Sequence, residues 1–132
     1  MRYLLDSTVL IDYSHDYPPG REIVERVFEE GSELYTCDVV TCESLSGGSP
    51  EQRNAIRSAL EALEFGAMSP DDARWAGERR RERIESGSHK PGLGDSLLAG
   101  LARSLGATIV TRNARDFDAF GVPVLGYGQP LP

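Results

Sequence analysis

Cysteine and histidine are scarce in this chain of 132 residues, which contains two of each. Cys37 and Cys42 lack the Cys-x-x-Cys spacing of redox and zinc sites, so we expect both to be small, buried or half-buried apolar side chains. His15 and His89 show no metal-ligand spacing. A zinc enzyme that relies on histidine ligands is therefore not expected.

Long apolar runs are also missing. The longest uninterrupted run of apolar and small residues, 97–102, falls far short of the roughly 20 residues that a helix needs to cross a bilayer. The apolar stretch near the amino terminus is interrupted by Asp6 and Asp12, where a secretory signal would stay uncharged. The sequence predicts neither a membrane span nor an export signal, and the cytoplasm is the expected compartment.

The overall composition is that of a folded protein. Apolar residues make up 39% and charged residues 27% of the chain, which excludes a disordered or collagen-like protein. The length suits one domain with a single sizeable core. We therefore predict one domain that covers residues 1–132.

Basic residues are fewer than acidic ones. The chain has 14 Lys and Arg and 21 Asp and Glu, which gives a net charge of −7. A negative protein is at first sight a poor partner for nucleic acid. The charge is unevenly spread, however. Residues 1–73 carry 5 basic and 15 acidic side chains, whereas residues 74–115 carry 9 basic and 4 acidic ones. The net charge therefore does not exclude RNA as a partner.

Short strand-like runs alternate with segments of helical spacing along the chain. Such alternation is typical of β-α-β units, which build a parallel sheet with helices on both faces. We predict an α/β fold with strands at 2–5, 34–36, 107–110 and 122–125, a chain break at 18–20, and helices that begin near Ser7, after Gly20, and near Asp38, Pro50, Pro70 and Asp95.

Acidic side chains follow several of these strands. Asp6 comes directly after the first strand, and Asp116 follows the strand at 107–110 by a short turn. Glu43 lies in the helix after the second strand, and Asp95 opens a helix after a glycine-containing turn. Because ligands bind outside the carboxyl ends of parallel strands, these four carboxylates are candidates for one shared site.

A cluster of carboxylates is unfavourable unless a positive charge neutralises it. Mg²⁺ and Mn²⁺ prefer oxygen ligands and keep several waters, so three or four carboxylates would form an open site that also binds a phosphate oxygen and an attacking water. Each acid also has a structural explanation on its own. Asp6 and Asp95 fit helix caps, Glu43 fits a solvated helix face, and Asp116 fits a turn.

Four segments, in this order, resemble the PIN-domain family of metal-dependent ribonucleases, and most closely its VapC-type toxins of toxin–antitoxin pairs. No single segment is specific, whereas the ordered set spans nearly the whole chain. The four segments are 4–12, 40–45, 94–102 and 110–117.

The resemblance implies a three-layer α/β/α sandwich around a mainly parallel sheet. It implies endonucleolytic cleavage of RNA that needs Mg²⁺ or Mn²⁺. By the same resemblance, Asp6, Glu43 and Asp95 are the principal metal ligands, and Asp116 is a fourth acid that acts directly or through water. A metal-activated water would then attack the phosphodiester.

Further polar residues belong to the same resemblance. Ser7, Thr111 and Asn113 match positions that support the metal ligands or position the substrate. Arg112 and Arg115 flank the proposed site, and we assign them to RNA binding.

One departure from the family lies in the helix that carries Asp95. Gly100 stands where the family more often has alanine, which either lets a neighbouring segment approach closely or weakens the helix.

The resemblance also implies partners. Toxins of this family receive a segment of a VapB-type antitoxin in a groove near the first two helices, and they commonly form homodimers. The apolar side chains Val9, Leu10, Val24, Val27 and Phe28 of those helices face either the sheet or such a groove.

Two other functions stay open at this point. One is a PIN-like nuclease that acts in RNA processing or on DNA, outside a toxin–antitoxin pair. The other is a binding module that keeps the fold and uses the acids only structurally, which absence of Mn²⁺ binding would favour. Trp75 either packs in the core or stacks on RNA.

Overall fold

A five-stranded parallel sheet forms the centre of the protein. The structure, a computed structural model, describes residues 1–87 and 89–128. The strands are β1 Arg2–Leu5, β2 Glu33–Thr36, β3 Glu64–Phe65, β4 Thr108–Thr111 and β5 Val124–Gly126. Their order across the sheet is β3-β2-β1-β4-β5, and each neighbouring pair is parallel.

The helices of the described residues form two groups. In chain order the helices are α1 Ser7–Ser14, α2 Pro18–Glu29, α3 Asp38–Leu45, α4 Pro50–Glu61, α5 Pro70–Glu85, α6 Leu93–Leu105 and a 3₁₀ helix, Ala114–Phe120. Helix α1 contacts α2, α3 and α4, whereas α5 packs against α6 and both contact the 3₁₀ helix. The predicted α/β fold with a parallel sheet between helical layers is confirmed.

Several boundaries differ from the prediction. Pro18 does not break the chain but begins α2, because proline fits the first turn of a helix, where its missing N–H is not needed. Helix α6 begins at Leu93 rather than Asp95, with Gly92 as its N-cap residue. The prediction omitted β3, since its two residues are exposed and carry no apolar alternation.

The core lies where the central strands meet both helical layers. Strands β1 and β4 are adjacent, and their apolar side chains are almost completely buried, as continuous apolar runs of parallel strands require. The apolar residues of α1 and α2 divide between core and surface. Val9, Leu10 and Val27 are buried, whereas Val24 is half-buried and 65% of Phe28 is exposed.

Two helices begin with reciprocal capping. Ser49 accepts from the Gln52 backbone N–H while the Gln52 side chain accepts from the Ser49 N–H, and Ser69 and Asp72 repeat this arrangement at the start of α5. Both capping boxes satisfy backbone donors that the first helical turn leaves free. The predicted helix starts at Pro50 and Pro70 are confirmed.

Gly100 lets α5 and α6 approach each other closely. A Cβ atom on Gly100 would lie 2.5 Å from the backbone oxygen of Asp72 and 3.3 Å from the Cβ of Ala76. The obstacle is backbone, which cannot turn aside as a side chain can. The first of the two explanations for this glycine, close approach of a neighbour, therefore holds.

Within the described residues, no helix is long and apolar enough to cross a membrane.

We expect Gly100→Ala to lower the free energy of unfolding by about 1–3 kcal/mol, because the added methyl group overpacks the contact between α5 and α6. The matched control is Gly77→Ala on α5, where a Cβ would meet nothing within 4 Å. That variant should gain up to about 1 kcal/mol from helix propensity. Urea unfolding monitored by circular dichroism measures both, and equal stability of the two variants would contradict the close-packing account.

Candidate metal and RNA site

The site lies at the carboxyl edge of the sheet, beyond β1 and β4. Asp6 directly follows β1, and its backbone N–H continues the ladder by donating to the Val110 carbonyl at 2.9 Å. Thr111 ends β4, so the register of the parallel pair brings it beside Asp6. Adjacent parallel strands thus bring together two side chains that are 105 positions apart in sequence.

Asp6 is buried and fully engaged by hydrogen bonds. Only 4% of the residue is exposed. Its Oδ2 accepts from the Thr111 hydroxyl at 2.7 Å and from the Thr8 hydroxyl at 3.1 Å, while its Oδ1 accepts from the Ser7 backbone N–H at 2.8 Å. Asp6 is therefore the N-cap of α1, as its structural explanation proposed, and Ser7 is the first helical residue.

Burial raises the pKa of Asp6 above its usual range, and the negative charge of Asp116 adds to that rise. The hydrogen bonds from Thr111, Thr8 and the Ser7 backbone act against it, because they stabilise the ionised carboxylate. Asp6 is therefore more than a helix cap. It also experiences the charge of Asp116 and belongs to a wider acidic group.

The other three acids come from three further elements. Glu43 lies on α3, Asp95 lies in the first turn of α6, and Asp116 lies in the first turn of the 3₁₀ helix. A Cβ atom on Gly94 would lie 3.2 Å from Oε1 of Glu43, so the Glu43 carboxylate lies against the first turn of α6. The structure thus brings all four predicted acids to one edge of the sheet.

Mutual repulsion among these acids is strongest at Asp95. Burial raises its pKa, and the charges of Asp6, Asp116 and Glu43 raise it further, to about 7. Burial, followed by the charge of Asp6, also raises the pKa of Glu43. Asp95 is not the N-cap residue of α6, since Gly92 holds that position. The helix-cap explanation of Asp95 is therefore wrong.

The donor set fits a hard divalent cation by its chemistry. Carboxylate oxygens are the ligands that Mg²⁺ and Mn²⁺ prefer, and a cation would relieve the repulsion that raises the pKa of Asp95. Across 1–87 and 89–128, no three acid, histidine or cysteine side chains lie close enough together, as they stand, to hold one ion. Glu43 and Asp116 are exposed side chains, so both carboxylates are accessible to a cation from solvent.

Of the predicted supporting residues, Ser7 and Thr111 bind Asp6, whereas Asn113 is exposed and reaches Thr111 only through its backbone. Thr111 is fully buried, and its hydroxyl both donates to Asp6 and accepts from the Asn113 backbone N–H at 3.0 Å. Thr8 was not predicted, although it lies inside the segment that carries the family resemblance. Its hydroxyl also accepts from the Arg112 backbone N–H at 3.3 Å, which ties α1 to the chain after β4.

Arg112 is held by a buried acid that sequence reasoning did not identify as functional. Its Nη1 lies 3.0 Å from Oδ1 of Asp12, and Oδ2 of Asp12 accepts from the Tyr127 hydroxyl at 2.7 Å. A Cβ atom on Gly20 would lie 2.7 Å from the Cβ of Asp12, so α2 closes over this group. Arg115, by contrast, is exposed.

Burial of Tyr127 and its hydrogen bond to the Asp12 carboxylate raise the pKa of the Tyr127 hydroxyl well above its usual value. Tyr127 therefore stays a proton donor to Asp12. The Asp12–Arg112–Tyr127 group joins α1, the chain after β4 and the chain after β5 next to the site. No local sequence signal pointed to Tyr127, because its partner is 115 positions away.

Comparison with known proteins supports the family resemblance. A family model described as PIN domain matches residues 3–122. Ribonuclease VapC19 of Mycobacterium tuberculosis is 27% identical over 119 residues, which cover 89% of this chain and 93% of that protein.

Solved structures show the same fold. A chain of VapBC2 from Rickettsia felis, bound to a DNA fragment from its promoter, superposes with a TM-score of 0.81 at 21% identity and covers 97% of this chain and 100% of that chain. A chain of DNA-bound VapBC from Salmonella typhimurium gives a TM-score of 0.79 at 23% identity and covers 96% and 98%. At these identities the similarity establishes the fold alone.

We expect Asp95→Asn to stabilise the metal-free protein above pH 7, by on the order of 1 kcal/mol after screening of the partly exposed site. The pKa of Asp95 rises from 3.8 to about 7 on folding, so the folded state binds more protons than the unfolded state between these values. This group therefore makes stability fall as pH rises from about 4 to 7, and asparagine removes that loss.

Thermal unfolding in EDTA at pH 4 and pH 8 measures this effect, with Glu78→Gln on the exposed face of α5 as the control. The control should stay within about 0.5 kcal/mol of the original protein at both pH values. Destabilisation by Asp95→Asn at pH 8 would contradict the account of repulsion among the four acids.

Proposed function

Because the chain belongs to the PIN domain family, we propose that it is a divalent-metal-dependent endoribonuclease and the toxin of a toxin–antitoxin pair. This proposal depends on one observation. Four carboxylates from four separate elements lie at the carboxyl edge of the sheet and influence one another's pKa values. The similarity to Ribonuclease VapC19 supports RNA as the substrate. An RNA substrate in turn favours the cytoplasm as the place of action.

In this proposal Asp6, Glu43, Asp95 and Asp116 would hold Mg²⁺ or Mn²⁺. When bound, such a cation neutralises the phosphodiester charge and lowers the pKa of a water molecule. Asp6 is the fixed member, because three hydrogen bonds hold its carboxylate in place. Thr111 orients Asp6, and the position of Thr111 in the sheet ladder sets the geometry of both.

Access for RNA is open on the side of the two exposed acids. Glu43 and Asp116 lie at the surface, so a strand of RNA reaches the acidic edge without opening the core. Arg115, one position before Asp116, is exposed and in place to bind a neighbouring phosphate. Arg112 contributes less directly, since Asp12 holds its guanidinium group.

An apolar groove fits the antitoxin segment that the family resemblance implies. The groove of about 220 Å³ lies between α1, α2 and α4, and its lining includes Leu10, Val24 and the exposed Phe28. Exposed apolar side chains beside such a groove are the kind of surface that a protein segment can cover. The VapBC structures, whose family is one of toxin-antitoxin systems, support an antitoxin as the occupant of the groove.

We expect Asp6→Asn to reduce RNA cleavage by at least about 100-fold. Loss of a residue that only supports a metal ligand reduces activity by about 10- to 100-fold, and loss of a ligand itself should have a larger effect. Asparagine keeps the oxygen that caps α1, so the fold should survive. Asp118→Asn, on the same 3₁₀ helix as Asp116 but exposed and outside the acidic group, is the matched control and should cleave like the original protein.

Cleavage of a labelled RNA in Mn²⁺ and in EDTA measures both variants, and mapping of the 5′ ends of cellular RNA after induction identifies the target. Full activity of Asp6→Asn, or undiminished activity in EDTA, would contradict cleavage at a metal site built on Asp6. Absence of RNA cleavage by the original protein in Mn²⁺ would instead favour the binding-module alternative.

We expect Phe28→Glu to retain RNA cleavage but to escape neutralisation by the antitoxin encoded in a small reading frame next to the gene. The added charge would lie at the apolar groove, and Phe28 is not one of the residues of the acidic edge. Growth after co-expression measures neutralisation, with the exposed α2 variant Glu22→Gln as the control. Equal neutralisation of both variants would show that the antitoxin binds elsewhere, and absence of such a reading frame would favour a nuclease outside toxin–antitoxin pairs.

A further inference from the structure

A second cavity lies at the opposite edge of the sheet from the four acids. We call it the Trp75 cleft; its volume is about 380 Å³, within the range of ligand-binding pockets. Its floor is formed by the chain that enters β4 and β5, at their amino ends. The lining residues are Trp75, Arg79, Ala102, Arg103, Gly106, Ala107, Phe120, Gly121, Val122 and Pro123.

Two guanidinium groups flank the indole ring of this cleft. The Arg103 guanidinium carbon lies 5.0 Å from the Trp75 ring centroid, and that of Arg79 lies 5.6 Å away. The ring itself packs against Phe120, with 6.3 Å between the ring centroids, and stays half-buried. Trp75 therefore packs against the core, as one of the two explanations proposed, and two positive charges lie beside its ring. Stacking of Trp75 on RNA stays a prediction.

The charge of the cleft is positive, although the whole chain has a net charge of −7. No acidic side chain lines the cleft in the part of the chain that the structure describes. Arg103 forms no ion pair there, whereas Arg79 pairs with Glu82, which lies outside the lining. A pocket with two arginines, an aromatic ring and no lining acid is complementary to a phosphate group beside an aromatic base.

The 3₁₀ helix connects this cleft with the acidic edge. Its first turn carries Asp116, and its last residue, Phe120, lines the Trp75 cleft. Strand β4 runs from the cleft towards the acidic edge and is about 10 Å long, at roughly 3.3 Å for each of its residue steps. A single strand of RNA that passes over the 3₁₀ helix reaches both sites, and the exposed Arg115 lies on that path.

We propose that the Trp75 cleft binds a backbone phosphate of the single-stranded RNA substrate, away from the bond that is cleaved, with Arg79 and Arg103 as the binding groups. This inference rests on the proposed ribonuclease function and names a second point of contact for the same substrate. Because phosphate contacts position a nucleic acid without reading its sequence, the cleft sets where along the strand the acidic edge acts.

Trp75 is the single tryptophan of the chain, so intrinsic fluorescence reports on this cleft. The experiment titrates the full-length protein with an oligoribonucleotide of about 12 nucleotides, near the middle of the range that single-strand binding folds cover. EDTA is present, so that no cleavage occurs. Anisotropy of a label on the RNA gives the dissociation constant in parallel, over a series of salt concentrations.

The test variants are Arg79→Gln and Arg103→Gln. Arg81→Gln is the matched control, since it removes the same charge from α5 at an exposed position outside the cleft. We expect each test variant to reduce the slope of log K against log salt by about 0.7, the value for one phosphate contact on a single strand. The control should keep the slope, and the original protein should change its Trp75 fluorescence on binding.

An unchanged salt slope in both test variants, together with unchanged Trp75 fluorescence in the original protein, would overturn the proposal even if the protein cleaves RNA. Competition with inorganic phosphate and with a mononucleotide shows whether the cleft prefers an RNA phosphate or a free one. If either displaces the RNA from the cleft at equal phosphate concentration, the cleft is a site for a free nucleotide or ion, which also overturns the proposal. If RNA binding depends on Arg79 and Arg103 but the protein does not cleave RNA in Mn²⁺, the result would support phosphate binding by the cleft and contradict the nuclease function.

Discussion

Repulsion among four carboxylates at one edge of the sheet is the interaction on which the rest of the site depends. Asp6 is buried, and Glu43, Asp95 and Asp116 approach it from three other elements. Burial, together with the charges of Asp6, Asp116 and Glu43, raises the pKa of Asp95 to about 7. A hard divalent cation is the charge that this donor set suits, and it would relieve the repulsion.

The surrounding structure holds this edge rigid on one side and open on the other. The pairing of β1 with β4 and the Thr111–Asp6 hydrogen bond fix the buried acid. Asp12 binds Arg112 and Tyr127 and so ties α1 to the segments that follow β4 and β5. Glu43 and Asp116 are exposed, so the acidic edge is accessible from solvent.

Features that depend on neighbouring residues in the chain could be predicted from the sequence. Serine–proline helix starts and the buried strands β1 and β4 have local signals, and the structure confirms them. The four acids also have local signals and lie at one edge of the sheet, but among the described residues no three of them are close enough to hold one ion. The features that escaped prediction depend on distant partners. Tyr127 reaches Asp12 across 115 positions, β3 exists through its pairing with β2, and the Trp75 cleft joins α5, α6 and the chain before β5. The metal-ligand roles of the acids and the RNA-binding roles of Arg112 and Arg115 stay predictions.

The central claim is that these acids hold a divalent cation, and calorimetric titration of Mn²⁺ into the metal-free protein tests it most directly. The account predicts binding by the original protein and by Asp118→Asn, a loss of binding in Asp6→Asn, and weakened binding in Asp95→Asn. Absence of Mn²⁺ binding by the folded original protein, or binding of equal strength in Asp6→Asn, would contradict the account.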